Sequence, residues 1–235
     1  NILSGVINYP ELMLLKLPED SELREPLTAV IKSGNRAASL VSDLLTVSSG
    51  AASPKYPYDL NEIVDEYLDS QEASNLKDRY PAVTIAKELN ADLQNILCSR
   101  IHIFKCIMNL VINGAEAIEG QGTILIKTTN EIADHASEST DDCARSFVKL
   151  EVYDSGKGIS EDDLKRIFEP FYTRKVMGVG GTGLGLTIVS NTVQDHGGHI
   201  AVSSNVASGT CFQLSFPVSH DDYAGSVLSE SAENL

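Results

Sequence analysis

Basic residues are scarce in this chain: 18 Lys and Arg stand against 33 Asp and Glu, a formal net charge of −15 over 235 residues. So little positive charge argues against a phosphate-backbone footprint, and nucleic acid is not an expected partner. The acidic residues are scattered through loops and the C-terminal end rather than gathered in one block. Long apolar runs are missing as well. None approaches the roughly eighteen residues of a membrane span, and no signal-peptide pattern is visible. These absences predict a soluble, cytoplasmic piece without membrane contact. Cysteine is rare, and Cys98, Cys106, Cys143 and Cys211 show no C-x-x-C spacing. That excludes the usual zinc pattern and predicts a reducing compartment, with buried free thiols where a cysteine falls in an apolar-periodic segment. What is present is apolar material, 42% of residues, enough to bury a core in one large or two small domains.

The most informative stretch runs from Asp154 to Leu186: D-S-G-K-G, then I-F-E-P-F-Y-T-R-K, then G-V-G-G-T-G-L-G-L. A carboxylate followed by alternate glycines lets backbone approach a flat ring, and Asp154 can accept a hydrogen bond from an exocyclic amine such as that of adenine. Gly178, Gly180, Gly181, Gly183 and Gly185 bare their N–H groups just before an apolar-periodic run that begins at Leu184. Such a helix start favours phosphate. A tight turn or a mobile loop carries the same letters.

Upstream, Ile101 to Ile118 reads as a helix with a core stripe of Phe104, Ile107, Met108, Val111, Ala115 and Ile118. Asn109, Asn113 and Glu116 share another face at i, i+4, i+7 spacing. An amide oxygen can ligate Mg²⁺ without repelling a polyphosphate. For the helix taken alone, two satisfied surface amides are the simpler reading.

In chain order, residues 1 to about 17 have helical apolar spacing interrupted by Pro10, which predicts a kink. A turn follows, with Ser21 as a capping candidate, and a longer helix runs from about Ser21 to Ser48. The two form an antiparallel hairpin too apolar to stand alone, so pairing into a four-helix bundle across a homodimer is expected. Packing onto the following domain is the alternative. Gly50 to Pro57 is a small-residue and proline linker. A helix bearing Leu60, Ile63, Val64, Tyr67 and Leu68 comes next. Strands are expected at Val83–Leu89, at Thr123–Thr128 and around Val148–Val152, the last delivering Asp154. Asn130 to Ala144 reads as a mobile, acid-rich loop. A helix carrying Leu186, Val189 and Val193 stops at Gly197-Gly198, and strands at His199–Ser204 and Thr210–Val218 close a hairpin. The fold class is therefore α+β: a helical hairpin (1–50), a linker (51–57), a two-layer α/β sandwich with helices on one face of a mixed sheet (58–218), and a disordered acidic tail (219–235).

The order N-L-V-I-N-G-A-E-A, D-S-G-K-G, F-E-P-F-Y-T and G-T-G-L-G-L, from Asn109 to Leu186, resembles the ATP-binding domain of sensor histidine kinases, with its asparagine box, first glycine box, phenylalanine box and second glycine box. The wording F-E-P-F-Y-T-R-K is most similar to the nitrogen-regulation and hybrid-kinase branch. The resemblance implies ATP and Mg²⁺, with Asn113 as the magnesium ligand, Asn109 beside it as its catalytic companion, and Glu116 bordering the nucleotide. It implies Asp154 as the adenine-reading carboxylate, Gly156 and Gly158 as close-approach glycines, and Ile159 next to them. Phe168 and Phe171 would hold a lid ending near Gly181, with Thr173 on the nucleotide side. Thr182, Gly183, Leu184, Gly185 and Leu186 would cradle the phosphates. Arg174 and Lys175 are cations available to the triphosphate, and solvated lid charges are an equal reading of them.

The hairpin resembles the family's dimerization and histidine-phosphotransfer domain, whose first helix opens with H-[DE]-F-N-N. By that match Asn1 is the motif's last residue, at the position that orients water for dephosphorylation, and the acceptor histidine lies four positions before the chain begins. Both chain ends look like cut ends. His102, His135, His196, His199 and His220 all lie outside the hairpin and read as core or surface histidines. The implied reaction moves the γ-phosphate of Mg·ATP to a histidine, then to the aspartate of a response-regulator receiver domain. Clamp-type ATPases share the adenine-binding fold but carry a glutamate where this chain has Asn109. A non-catalytic nucleotide-binding dimerization scaffold and a phosphatase-biased homologue are the remaining alternatives.

Overall fold

Period-2 alternation builds the central sheet. Along Gly122–Ile132 (β4) the side chains of Ile124, Ile126 and Thr128 are buried while their neighbours are not, and Val148, Leu150 and Val152 repeat the pattern on Ser146–Asp154 (β5). The computed structural model describes residues 2–49, 53–92, 95–132, 146–174 and 181–219. It divides the chain into two units, Asn1–Ser49 and Gly50–Leu235.

The first unit is a helical hairpin of α1 (Ile2–Lys16) and α2 (Arg24–Ser49). Pro10 lies inside α1, and the helix continues past it to Lys16. Ser21 does not cap α2 as expected. Its carbonyl accepts from Arg24 N, so it belongs to a separate turn, and α2 starts three residues later. Arg24 closes the hairpin instead: its Nη1 donates to the carbonyls of Leu14 (3.0 Å) and Leu17 (3.1 Å) at the end of α1, where a cation also suits the helix dipole. A Cβ at Gly34 would meet Ile7 Cγ1 at 2.8 Å, so glycine sets the close approach of the two helices. Leu12, Met13, Leu15, Val30, Leu40 and Leu44 remain exposed.

In the second unit β1 (Tyr56–Asp59) pairs antiparallel with β3 (Asn95–Cys98), so Tyr56 and Pro57 are strand residues within the stretch read as linker. Asp59 caps α3 (Leu60–Leu68) by accepting from Asn61 N and Glu62 N, and Ser70 caps α4 (Gln71–Arg79). The main sheet has the order β2-β4-β5-β7-β6, with β2 (Val83–Leu89) parallel to β4 and all other pairs antiparallel. β6 (His199–Asn205) and β7 (Gly209–Pro217) form a hairpin. α3, α5 (Arg100–Ala117) and α7 (Gly185–Asp195) cover one sheet face, giving the two-layer α+β sandwich. Phe212, Leu214 and Phe216 point into the core. Asn130 to Ile132 belong to β4 rather than to a loop, because they pair in register with Val148 to Ser146; residues 133–145 lie outside the described residues.

The core stripe of α5 is displaced from the expected one. Ile103, Cys106 and Leu110 are buried with Ile107, Val111 and Ala115, whereas Phe104 and Met108 sit half-buried at the edge. The helix has neighbours on two sides, α3 and α7, so its apolar arc is wider than a single stripe. Cys98 and Cys106 are buried thiols, each pushed up to about 12 by desolvation. No helix among the described residues is long and apolar enough to cross a membrane.

Candidate functional site

The site lies where the end of β5, the C-terminal half of α5 and the start of α7 converge. β5 ends at Asp154, which is 4% exposed. Gly114, one residue after Asn113, has its Cα so near this strand end that an added Cβ would stand 3.0 Å from Asp154 Cβ. One turn earlier on α5, Asn109 faces α7: a Cβ at Gly185 would stand 3.1 Å from Asn109 Oδ1. Asn113 therefore occupies the helix turn between the buried carboxylate and the first residue of α7. Asn109, Asn113 and Glu116 are all half-buried on this face.

Burial raises the pKa of Asp154, and backbone N–H bonds from Gly156 and Thr210 pull the other way. The Gly156 N–H reaches Asp154 Oδ1 at 2.9 Å. Both bonds fix the carboxylate as an oriented acceptor at the edge of the core. The two glycines that follow are explained by the protein's own packing. A Cβ on Gly156 would meet Ala117 at 2.8 Å, and Gly158, at φ +73°, would drive a Cβ into the Asn205 carbonyl. Lys157 N donates to Ala117 O, Ala207 N to Lys157 O, and Ile159 N to Ser204 Oγ. The segment after Asp154 is thus strapped between α5 and the β6–β7 turn.

α7 begins without a side-chain cap: Leu184 is the N-cap residue and is 2% exposed. Uncapped N–H groups lie at the positive end of this eleven-residue helix, an end that favours negative charge. Thr182 Oγ1 accepts from Leu184 N at 3.2 Å, and Gly183, at φ +70°, lies against the Phe171 backbone. Gly181 is exposed and Leu186 packs on the core.

Phe168 packs against the core, and its carbonyl accepts from Thr187 Oγ1 at 3.1 Å. Phe171 behaves otherwise than expected. The residue is 53% exposed, its φ is +64°, and it is held through its N–H on the Gly183 carbonyl (3.0 Å). Thr173 is half-buried. Arg174 pairs with Asp163, Nε to Oδ1 at 2.8 Å. Lys175, Gly178, Gly180 and Asn1 lie outside the described residues.

Sequence reasoning missed Gly114, Thr210 and Asp163. Gly114 had a signal, since a glycine inside a good helix costs propensity and marks close packing. Asp163 had a fainter one: Ser160-x-x-Asp163 is a capping-box spacing, and Ser160 indeed caps α6 (Glu161–Leu164). The described residues contain no cluster of three or more His, Cys, Asp or Glu able to hold a metal.

Residues 98–220 match the family described as histidine kinase-, DNA gyrase B- and HSP90-like ATPases. The sensor histidine kinase ZraS of Salmonella typhi is 32% identical over 222 residues, covering 93% of this chain and 43% of that protein. The sensory histidine kinase/phosphatase NtrB of Rhodobacter capsulatus is 28% identical, covering 93% of this chain and 59% of that protein. Full-length ShkA, solved in complex with AMPPNP, superposes with a TM-score of 0.71 at 26% identity, covering 94% of this chain and 44% of that one. The chain thus spans less than half the length of ZraS. With its buried carboxylate, its asparagine face and its uncapped helix start in one place, the chain belongs to the histidine kinase-, DNA gyrase B- and HSP90-like ATPases.

Proposed function

We propose that residues 58–218 bind Mg·ATP and that the protein transfers its γ-phosphate to a histidine for relay to a receiver aspartate. The observation that carries this reading is the convergence of Asp154, the Asn109–Asn113–Glu116 face and the uncapped start of α7. Asp154 accepts from the adenine amine, a choice that selects against guanine. Residues 181–186 and the first N–H groups of α7 hold the phosphates. The Asn113 amide oxygen, with Asn109 and Glu116 alongside, suits Mg²⁺, which takes few protein ligands when phosphates fill its shell. When bound, the ion neutralises phosphate charge; the chain's residues contribute position rather than covalent chemistry. The hairpin, residues 1–50, forms a homodimeric bundle, a reading supported by its exposed leucines. A receiver domain is the second partner.

Isothermal calorimetry with ATP and GTP, with and without Mg²⁺, tests the site. ATP binding that magnesium strengthens is expected, with no GTP binding. Asn113→Ala and Asp154→Ala are expected to abolish the ATP heat while leaving the circular dichroism spectrum intact. Retained ATP affinity in either variant refutes the assignment.

A further inference from the structure

One buried carboxylate near this site has no part in the reading above. Asp163 is 7% exposed. Ser160 Oγ donates to its Oδ2 at 2.6 Å, while Tyr172 Oη (2.5 Å) and Arg174 Nε (2.8 Å) both donate to its Oδ1. The Ser160 and Tyr172 hydroxyls, and then Arg174, hold its carboxyl below the usual carboxylate range, so it is ionised. Capping α6 requires only the Ser160 interaction. Tyr172 lies within the phenylalanine box and Arg174 directly after it, and their convergence on Asp163 needs another reason.

Three contacts fix the segment that carries them. Thr187 on α7 donates to the Phe168 carbonyl, Phe171 N donates to the Gly183 carbonyl, and the Arg166 guanidinium lies 4.4 Å from the Tyr172 ring centre while bonded to Glu169. Phe171 thus touches the loop that leads into α7. Three residues of chain reach at most about 11 Å, so Arg174 stays beside that loop. It is the single cation between Phe168 and Arg174. Its Nε is bound to Asp163, and its side chain is 72% exposed. A guanidinium tethered at one edge and solvated at the other presents a rigid fork to a second oxyanion.

We propose that Asp163 is a positioning residue for the polyphosphate: with Tyr172 as a brace, it holds Arg174 beside Gly181–Leu184, where the guanidinium meets the terminal phosphate of a nucleoside triphosphate. This rests on the nucleotide reading above. Asp163 touches no ligand itself. It removes rotamer freedom from Arg174 before the ligand arrives.

Calorimetric titration of the whole chain with Mg·ATP and Mg·ADP tests it, using wild type, Asp163→Asn, Tyr172→Phe, Arg174→Ala and the Asp163→Asn/Arg174→Ala double variant. Asp163→Asn is expected to weaken ATP about tenfold and ADP less than about twofold, the scale of one charge-assisted hydrogen bond lost at the terminal phosphate. Tyr172→Phe should give a smaller loss of the same ATP-selective kind, which keeps the test alive should Asp163→Asn fold poorly. The double variant should bind ATP no more weakly than Arg174→Ala alone. Equal losses for ATP and ADP mark Asp163 as fold-holding and overturn the proposal. Unchanged or tighter ATP binding overturns it too, the latter because the ion pair would then compete with nucleotide. A wild type that binds neither nucleotide refutes the underlying site, and the proposal falls with it.

Discussion

Asp154 shows how much one helix glycine can decide. In the proposed role a carboxylate that reads an amine must stay in register with the base, and its Cβ leans on the space that Gly114 leaves open at 3.0 Å. Alanine at 114 would gain about 1 kcal/mol of helix propensity, yet its methyl would press on Asp154 and on Ile124, whose Cδ1 lies 3.4 Å away. Gly114→Ala is therefore expected to keep the fold, with little change in melting temperature, while ATP affinity drops by about tenfold or 1.4 kcal/mol. Unaltered affinity by calorimetry contradicts the link. The residues of this site were legible to the degree that chemistry demands a residue type. Asn113, Asp154 and the glycines stand out because few side chains serve an amine, a divalent cation or a close backbone. Gly156 and Gly158 were legible as close-approach positions, but what approaches them within the protein is Ala117 and Asn205, and that depends on which turn folds back. Asp163 was invisible for a similar reason: its bonds to Tyr172 and Arg174 depend on the left-handed turn at Phe171.

Elements were legible where a period ran long enough. α5, β5 and the β6–β7 hairpin each offer several apolar residues in one phase. α4 offers only Ala73 and Leu76 as buried residues, and β1 and β3 are four residues each, too short for a period to emerge. The joint between α5 and α7 was equally hidden, because it depends on one histidine. Ser99 makes no side-chain cap for α5; its N–H donates to His196 Nε2 at 3.0 Å, and His196 Nδ1 donates to the Thr192 carbonyl at 2.6 Å. The imidazole must be neutral to accept at Nε2. Burial lowers its pKa first, Lys55 and His102 lower it further, and the Thr192 bond and Asp195 oppose them. Above about pH 6.5 both folded and unfolded states carry a neutral ring, so stability from this residue is fully present. As pH falls below that value the unfolded state takes up the proton first, and stability declines through the lowered folded pKa. His196→Phe should cost about 1–3 kcal/mol at pH 7.5 by leaving the Ser99 N–H unpaired, the Thr192 carbonyl keeping its bond from the backbone N–H of residue 196, and should remove this part of the acid slope. Urea unfolding at pH 7.5, 6.5 and 5.5 measures both effects; an unchanged slope in the variant refutes the assignment.

At the scale of the whole molecule the chain is two units of different character, and their stabilities should answer to different variables. The second unit has a buried core from Leu60 to Phe216 and carries the proposed nucleotide site. The hairpin has two helices and exposes Leu12, Leu15, Leu40 and Leu44, a surface too apolar for a lone pair of helices. If the hairpin dimerizes, its stability depends on protomer concentration, whereas the second unit responds to nucleotide. Differential scanning calorimetry is expected to resolve two transitions. Mg·ATP at a hundredfold excess over its Kd should stabilise one of them by about 2.7 kcal/mol and leave the other in place. Raising protein concentration should move only that other transition upward. Leu40→Glu, which sets a charge on the exposed face of α2, should lower the concentration-dependent transition and shift light-scattering mass toward the monomer, with ATP affinity unchanged. A single transition that follows both variables would mean that the two units unfold as one. A hairpin transition indifferent to concentration would mean that the helices find their partner surface within the same chain.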